Sequence, residues 1–135
     1  MFTIFKFRIV TPEGIKVEED VEYAEFKSIE GGMGTLTNRL PIIVRLRIAP
    51  VRIKKSENIY KTFAVHGGVL QMTGNEMTIV TTAAERPEDI DVQAARRALE
   101  RAQEELRITE DKFKRMKLET RIQKNLLRVN VSNER

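Results

Sequence analysis

The sequence predicts a mainly β protein with an α appendage: an N-terminal antiparallel β-sandwich followed by a C-terminal two-helix antiparallel hairpin. Three observations carry this. Apolar and polar residues alternate along short segments up to about residue 84, the period of half-buried strands. Clusters of turn formers separate those segments. From Glu88 to Arg135 glycine and proline vanish, and the apolar spacing becomes three or four, the period of a helix. Many short strands without helices between them argue for a sandwich or barrel.

In the first strand, Phe5, Phe7 and Ile9 are separated by Lys6 and Arg8. Val21, Tyr23 and Phe26 form the next apolar set, and its change of step near Ala24 predicts a bulge. Ile42, Val44, Leu46 and Ile48 alternate with other residues, as do Val51 and Ile53. Phe63 to Val65, Val69 to Met72 and Met77 to Ala83 complete the strands. The expected turns are Pro12-Glu13-Gly14, Gly31 to Gly34, Ala49-Pro50, Ser56-Glu57-Asn58, Gly67-Gly68 and Thr73-Gly74-Asn75.

The chain divides near Pro87, into a sandwich at 1–86 and a helix-turn-helix arm at 87–135. Val92, Ala95, Leu99, Ala102 and Leu106 make one stripe on the first helix. Glu88, Asp89 and Asp91 sit where a helix start favours negative charge. A break is expected at Ile108 to Asp111, with Thr109 capping the second helix. Phe113, Met116, Ile122, Leu126 and Val129 form the expected apolar stripe of that helix. With Ala94, Ala95, Ala98 and Ala102 on or beside the first stripe, there is little apolar bulk to close the hairpin. The arm is therefore expected to open more easily than the sandwich unfolds.

At 135 residues the chain is long enough to bury a core without staples. The absence of cysteine excludes disulfides, thiolate metal sites and cysteine nucleophiles. No apolar run reaches the length of a membrane span, and Lys6 and Arg8 argue against a signal peptide. The net charge of +4 points to an acidic partner. Residues 1–87 and 88–135 each hold 12 basic and 10 acidic residues, +2 apiece. The asymmetry lies within the second helix. There Lys112, Lys114, Arg115, Lys117, Arg121, Lys124 and Arg128 face only Glu119.

No constellation supports catalysis. Gly31 to Gly34 lacks the Gly-Lys-Ser/Thr ending of a phosphate loop and reads as a turn. His66 is the only histidine and reads as an ordinary strand-end residue. Glu18, Glu19, Asp20 and Glu22 read as a solvated turn rather than an acid–base pair. The basic helix reads either as a plain solvated face or as a match to an acidic protein surface. The alternative is a basic nucleic-acid-binding module, although only Phe113 is there to stack on bases. From residues alone the chain is a non-enzymatic sandwich with a helical arm.

Three stretches carry a resemblance. Glu30-Gly31-Gly32-Met33-Gly34 with Pro41-Ile42-Ile43 is the first, and His66-Gly67-Gly68-Val69-Leu70 the second. The third is Glu85-Arg86-Pro87-Glu88-Asp89-Ile90-Asp91 with Ala94, Ala95, Ala98, Arg101 and Ala102. In this order and spacing, over nearly the whole chain, the sequence resembles the epsilon subunits of bacterial and chloroplast F-type ATP synthases. The resemblance implies a non-catalytic rotor subunit of a proton- or sodium-translocating enzyme, peripheral on the cytoplasmic face of the cell membrane or the stromal face of thylakoids. It implies three partners: the gamma subunit, the polar loops of the c-ring, and the beta subunit when the arm is extended. It implies that the arm opposes ATP hydrolysis. Glu30, Gly31, Gly32, Met33, Gly34 and Arg39 take the place of the c-ring and gamma contact loop, though Thr37-Asn38-Arg39-Leu40 departs from the family's Pro-Gly-His-Ala. The seven basic residues of the second helix take the place of the contact with an acidic beta loop.

Members that bind ATP do so through Ile/Leu-Asp-x-x-Arg-Ala. Asp91, Ala95 and Arg101 remain here, but Ala94 replaces the motif arginine. Ile122 and Leu126 replace two further arginines. Without those bidentate phosphate donors, no cofactor is expected and ATP binding should be weak or absent.

Overall fold

The computed structural model describes residues 4–31, 33–35 and 41–134. The described chain forms two compact units, Met1–Glu85 and Arg86–Arg135. The first contains eight strands: β1 (Phe5–Thr11), β2 (Gly14–Val21), β3 (Tyr23–Lys27), β4 (Met33–Thr35), β5 (Ile42–Lys54), β6 (Tyr60–Thr73), β7 (Glu76–Val80) and β8 (Ala84–Glu85). They hydrogen-bond in the order β2-β1-β7-β6-β5-β3-β4, with β8 beside β6. The expected sandwich is present, with one departure from all-antiparallel pairing: β1 and β7 run parallel. The β1–β2 and β6–β7 hairpins are each antiparallel. The long path through β2 to β6 brings β7 back alongside β1 in the same direction.

The strand β1 behaves as its alternation predicts: Phe5, Phe7 and Ile9 are buried, and Lys6, Arg8 and Val10 half-buried. The expected bulge at Ala24 is not there. The chain bends at Glu22, between two strands with different partners, so Ala24 and Phe26 simply alternate inward on β3. The register shift occurs instead between Ile9 and Val10 on β1.

The largest correction concerns Ala49-Pro50 and Gly67-Gly68. Neither is a turn; both lie inside the long paired strands β5 and β6. On β5 the core takes Leu46 and then Val51 and Ile53; on β6 it takes Phe63 and Val65 and then Leu70 and Met72. Even and odd positions exchange faces on both strands, while the register stays constant through Leu46↔Gly68 and Ile48↔His66. The paired strands thus turn a corner together, and each serves both layers. Gly67 and Gly68 both have positive φ there, and a Cβ at Gly68 would lie 2.2 Å from the Val80 carbonyl oxygen. Only glycine fits such a position. Around this corner the sandwich encloses Phe7 and Phe63, with ring centroids 6.2 Å apart.

Two other expectations change. Glu18, Glu19 and Asp20 belong to β2 rather than to a turn, and two of them are paired with cations across strands. Half of the Gly31 to Gly34 segment is strand β4, which pairs with β3. Ser56–Asn58 does form a turn, a short 3-10 helix with Glu57 and Asn58 at positive φ.

The second unit holds a short 3-10 turn (Pro87–Asp89), then α1 (Val92–Ile108) and α2 (Lys112–Ser132). Asp91 caps α1, its carboxylate accepting from the Ala94 amide at 3.0 Å. The expected cap Thr109 ends α1 instead, donating to the Glu105 carbonyl. Asp111 caps α2, accepting from the Lys114 amide at 3.2 Å. Asp111 sits three residues before the amide it caps, where an N-cap carboxylate reaches. Arg115 folds back across the corner and donates through Nη1 to the carbonyls of Leu106 and Thr109, each at 2.8 Å. Early α2 therefore meets late α1, and α2 also meets the Pro87–Asp89 turn, an antiparallel hairpin.

Candidate interaction surfaces

The α1 stripe is seated as expected, with Ala95 and Ala102 buried and Val92, Leu99 and Leu106 half-buried. The α2 stripe is seated only in part: Ile122 and Val129 are half-buried on the inward side. Phe113 and Met116 are 64% and 65% exposed, and Leu126 is exposed too. The inward side carries Arg115, Leu118, Ile122, Asn125, Val129 and Ser132. Those residues share an arc of about 100° at 100° per residue. The expected stripe also left out Leu118, Leu127 and Val131, which are buried. The seam actually contains two buried polar residues, Asn125 and Ser132. Both are satisfied within α2: Asn125 Nδ2 donates to the Arg121 carbonyl at 2.9 Å, and Ser132 Oγ to the Val129 carbonyl at 2.8 Å. Closing the hairpin gains neither bond.

The seven basic residues do not form one surface. Lys114, Lys117, Arg121, Lys124 and Arg128 fall within an arc of about 80°. Lys112 lies off it, and Arg115 is spent on the hairpin corner. Arg128 Nη1 donates to Asn125 Oδ1 at 3.1 Å, which leans one end of the stripe toward the seam. Phe113 and Met116 flank the stripe, with Lys117 Nζ 4.7 Å from the Phe113 ring centre. Together with Thr120, Arg121 and Lys124 they line a groove of about 450 Å³. A cationic strip edged by exposed apolar side chains suits an acidic surface that also offers apolar contact.

On the sandwich, Glu30 and Gly31 are exposed in the turn before β4, with Gly31 at positive φ. The backbone of Met33 and Gly34 is in β4. Gly32 and Arg39, with the rest of Thr37 to Leu40, lie outside the described residues, so this loop is only partly placed.

A second surface escaped the sequence reading. The register aligns Arg45 with Val69, Val69 with Val80, Val80 with Val10, and Val10 with Ile15. Val69, Val80 and Ile15 are exposed, as is Ile43 on the same side of β5. An apolar row therefore crosses four strands on the outer face, with Arg45 opposite its β5 end and Ile43 two residues away, the kind of patch that marks a binding surface. Each residue alone looks like the ordinary outward half of a strand. Only the strand order joins them.

The carboxylates on β2 are structural. Arg8 Nε donates to Glu18 Oε2 at 2.8 Å, which raises the Arg8 pKa and lowers that of Glu18. Glu19 Oε1 accepts from Lys55 at 2.8 Å and Lys61 at 2.9 Å. Burial alone would raise the Glu19 pKa, but the two ammonium groups outweigh it and hold it below the ordinary value. Among the described residues no three His, Asp or Glu cluster as a metal set.

The candidate nucleotide residues are dispersed. The Asp91 carboxylate is engaged as a cap, Ala95 is buried, and Arg101 is exposed about 120° around the helix from Ala95. Ile122 and Arg115 line a recess of about 500 Å³ with Gln103, Leu106 and Arg107.

Residues 4–87 match the family model for the β-sandwich domain of the ATP synthase delta/epsilon chain, and residues 88–133 the model for its long α-helix domain. The chain is 38% identical over 124 residues to the ATP synthase epsilon chain of Halalkalibacterium halodurans, covering 90% of this chain and 92% of that one. It is 43% identical over 101 residues to the epsilon chain of Anoxybacillus flavithermus, 75% of each. A chain of the Euglena gracilis mitochondrial ATP synthase OSCP/F1/c-ring structure shares the fold, with a TM-score of 0.75 at 17% identity over 87% of this chain and 74% of that one. A chain of the Tetrahymena thermophila central stalk and c-ring structure gives 0.63 at 15% identity, covering 94% and 95%.

Proposed function

The chain belongs to the ATP synthase delta/epsilon chain family, and from that premise we propose that it is a central-stalk subunit whose helical hairpin restrains ATP hydrolysis. The observation that carries this is on α2. A stripe of five cations edged by exposed Phe113 and Met116 stands on a hairpin whose seam mixes aliphatic side chains with alanines and two self-satisfied polar groups. Such a hairpin can be opened at modest cost. Its stripe can then be offered to an acidic loop, which we assign to the beta subunit.

The sandwich is the fixed platform. Its apolar row through Val69, Val80, Val10 and Ile15 suits a gamma subunit, and the turn holding Glu30 and Gly31 suits the polar loops of a c-ring. The chain itself does no chemistry in this account. With Ala94 in place of the motif arginine and Asp91 engaged as a cap, ATP is not proposed as a regulatory ligand. No helix among the described residues is long and apolar enough to cross a membrane. Attachment to the cytoplasmic or stromal face would come through the partners.

The test is ATP hydrolysis by the reconstituted catalytic complex with the full chain or with a chain ending at Glu88. The truncated chain should bind and leave hydrolysis higher. Equal hydrolysis with both chains contradicts the inhibitory reading. Replacing Lys114, Lys117, Arg121, Lys124 and Arg128 with glutamine should reproduce the truncation.

A further inference from the structure

His66 is the chain's only histidine, and it is neither at a strand end nor at the surface. It lies in the middle of β6 with its side chain 1% exposed, and its Nε2 is 2.7 Å from Glu85 Oε1. Its Nδ1 is buried with no hydrogen-bond partner among the described residues. The His66 amide donates to the Ala83 carbonyl at 3.1 Å, and the Thr81 hydroxyl donates to the same carbonyl at 3.2 Å. His66 thus grips residues 83–85 at two points, by backbone and by ring. That segment needs support. The strand β8 is two residues long and pairs only through Ala64↔Glu85 and Val65↔Ala84, too little to hold itself. Glu85 is also where the first compact unit ends.

We infer that His66 is the anchor of the chain's exit from the sandwich. A neutral ring, protonated on Nε2, donates to the Glu85 carboxylate and pins residues 83–85, so that the chain is free to change direction only after Glu85. The tautomer follows from the surroundings. A proton on Nδ1 would be buried without an acceptor, and a bare Nε2 would face a carboxylate oxygen. Glu85 of β8 supplies the charge within reach of the ring. Across the sheet β5 sets Ile48 opposite His66, with exposed Arg47 beside it. Residues 81–83 bring two threonines and an alanine. A space-filling histidine would need none of these polar contacts. The anchor stands whatever the helical unit does; its use as a pivot rests on the moving-arm reading above.

The experiment uses the full chain. Ring ¹⁵N spectra at neutral pH should show one protonated nitrogen, Nε2. A proton on Nδ1, alone or as well, overturns the assignment. Amide exchange then tests the grip. His66→Phe keeps bulk but loses the donor, and should speed exchange at position 66 and at 84–86 by at least about 10-fold, the scale of a lost bond to a charged group. The amides of Leu70 and Ile79, deep in the core, should be unchanged. His66→Gln, which keeps a donor at the end of the side chain, should restore most of the protection. Should His66→Phe not fold, Glu85→Ala, which removes the acceptor, decides. Unchanged exchange in either folded variant overturns the anchor. Faster exchange with unaltered control of hydrolysis keeps the anchor and removes only the pivot.

Discussion

The sandwich closes on Phe5, Phe7 and Phe63, with Ile9, Ile53 and Leu70 fully buried around them. The helical unit buries fewer large side chains: Leu118, Leu127 and Val131, with Ala95, Ala102, Asn125 and Ser132. A buried phenylalanine or isoleucine contributes about 1.5–3 kcal/mol, an alanine methyl about 0.8. The buried asparagine and serine contribute no bond across the hairpin, because their partners are in α2 itself. Local backbone design is equally careful in both units: each helix has an aspartate cap, and the sandwich has its glycine corner. The difference is in what holds elements together. On that account the hairpin should open more readily than the sandwich.

That contrast can be broken at several points. The largest effect should come from Phe7→Ala, at about 3–5 kcal/mol of sandwich stability by denaturant titration, with the helical content of α1 and α2 largely retained. Gly68→Ala should follow at about 2 kcal/mol or more, since it combines positive φ with a 2.2 Å approach to the Val80 carbonyl. A smaller loss there would mean that the corner can relax. Asn125→Leu should act in the opposite sense. Placing apolar bulk on the seam should stabilise the hairpin by about 1 kcal/mol, slow exchange in α2 and strengthen resistance to opening. A destabilised hairpin would show that the amide contacts matter more than the seam. Asp111→Ala should cost about 1 kcal/mol of helix stability, seen as faster exchange in the first turn of α2, whereas Thr109→Ala should cost less.

The smallest effect is the acid response of Glu19. Its pKa is lower in the folded chain than unfolded. The stability it gives is therefore present above the ordinary glutamate range and lost as pH falls through and below it. Glu19→Gln should flatten that part of the acid unfolding curve.

The two regions also differed in legibility. Period-two alternation located β1 correctly because a strand buried on one face announces itself. The corner in β5 and β6 did not, since Ala49-Pro50 and Gly67-Gly68 carry the same residues as true turns. What separates them is register between distant segments, which a single segment lacks. On α1 the small-residue stripe was readable. On α2 the rule that large apolar residues face inward pointed Phe113 and Met116 at the seam, and the structure leaves them outside. That failure is informative, because a sequence that exposes its best core residues is serving something other than its own core. The apolar row on the sandwich was invisible for the same reason as the corner: its members become neighbours only through strand order.

The central claim is that the helical hairpin opens far below the free energy of global unfolding. Residue-resolved hydrogen exchange on the full chain tests it most directly. Amides in 92–132 should exchange at least 10-fold faster than those of Ile9, Leu70 and Ile79, a gap of about 1.4 kcal/mol or more, and should slow toward them in Asn125→Leu. Exchange in both helices as slow as in the sandwich core would contradict the account.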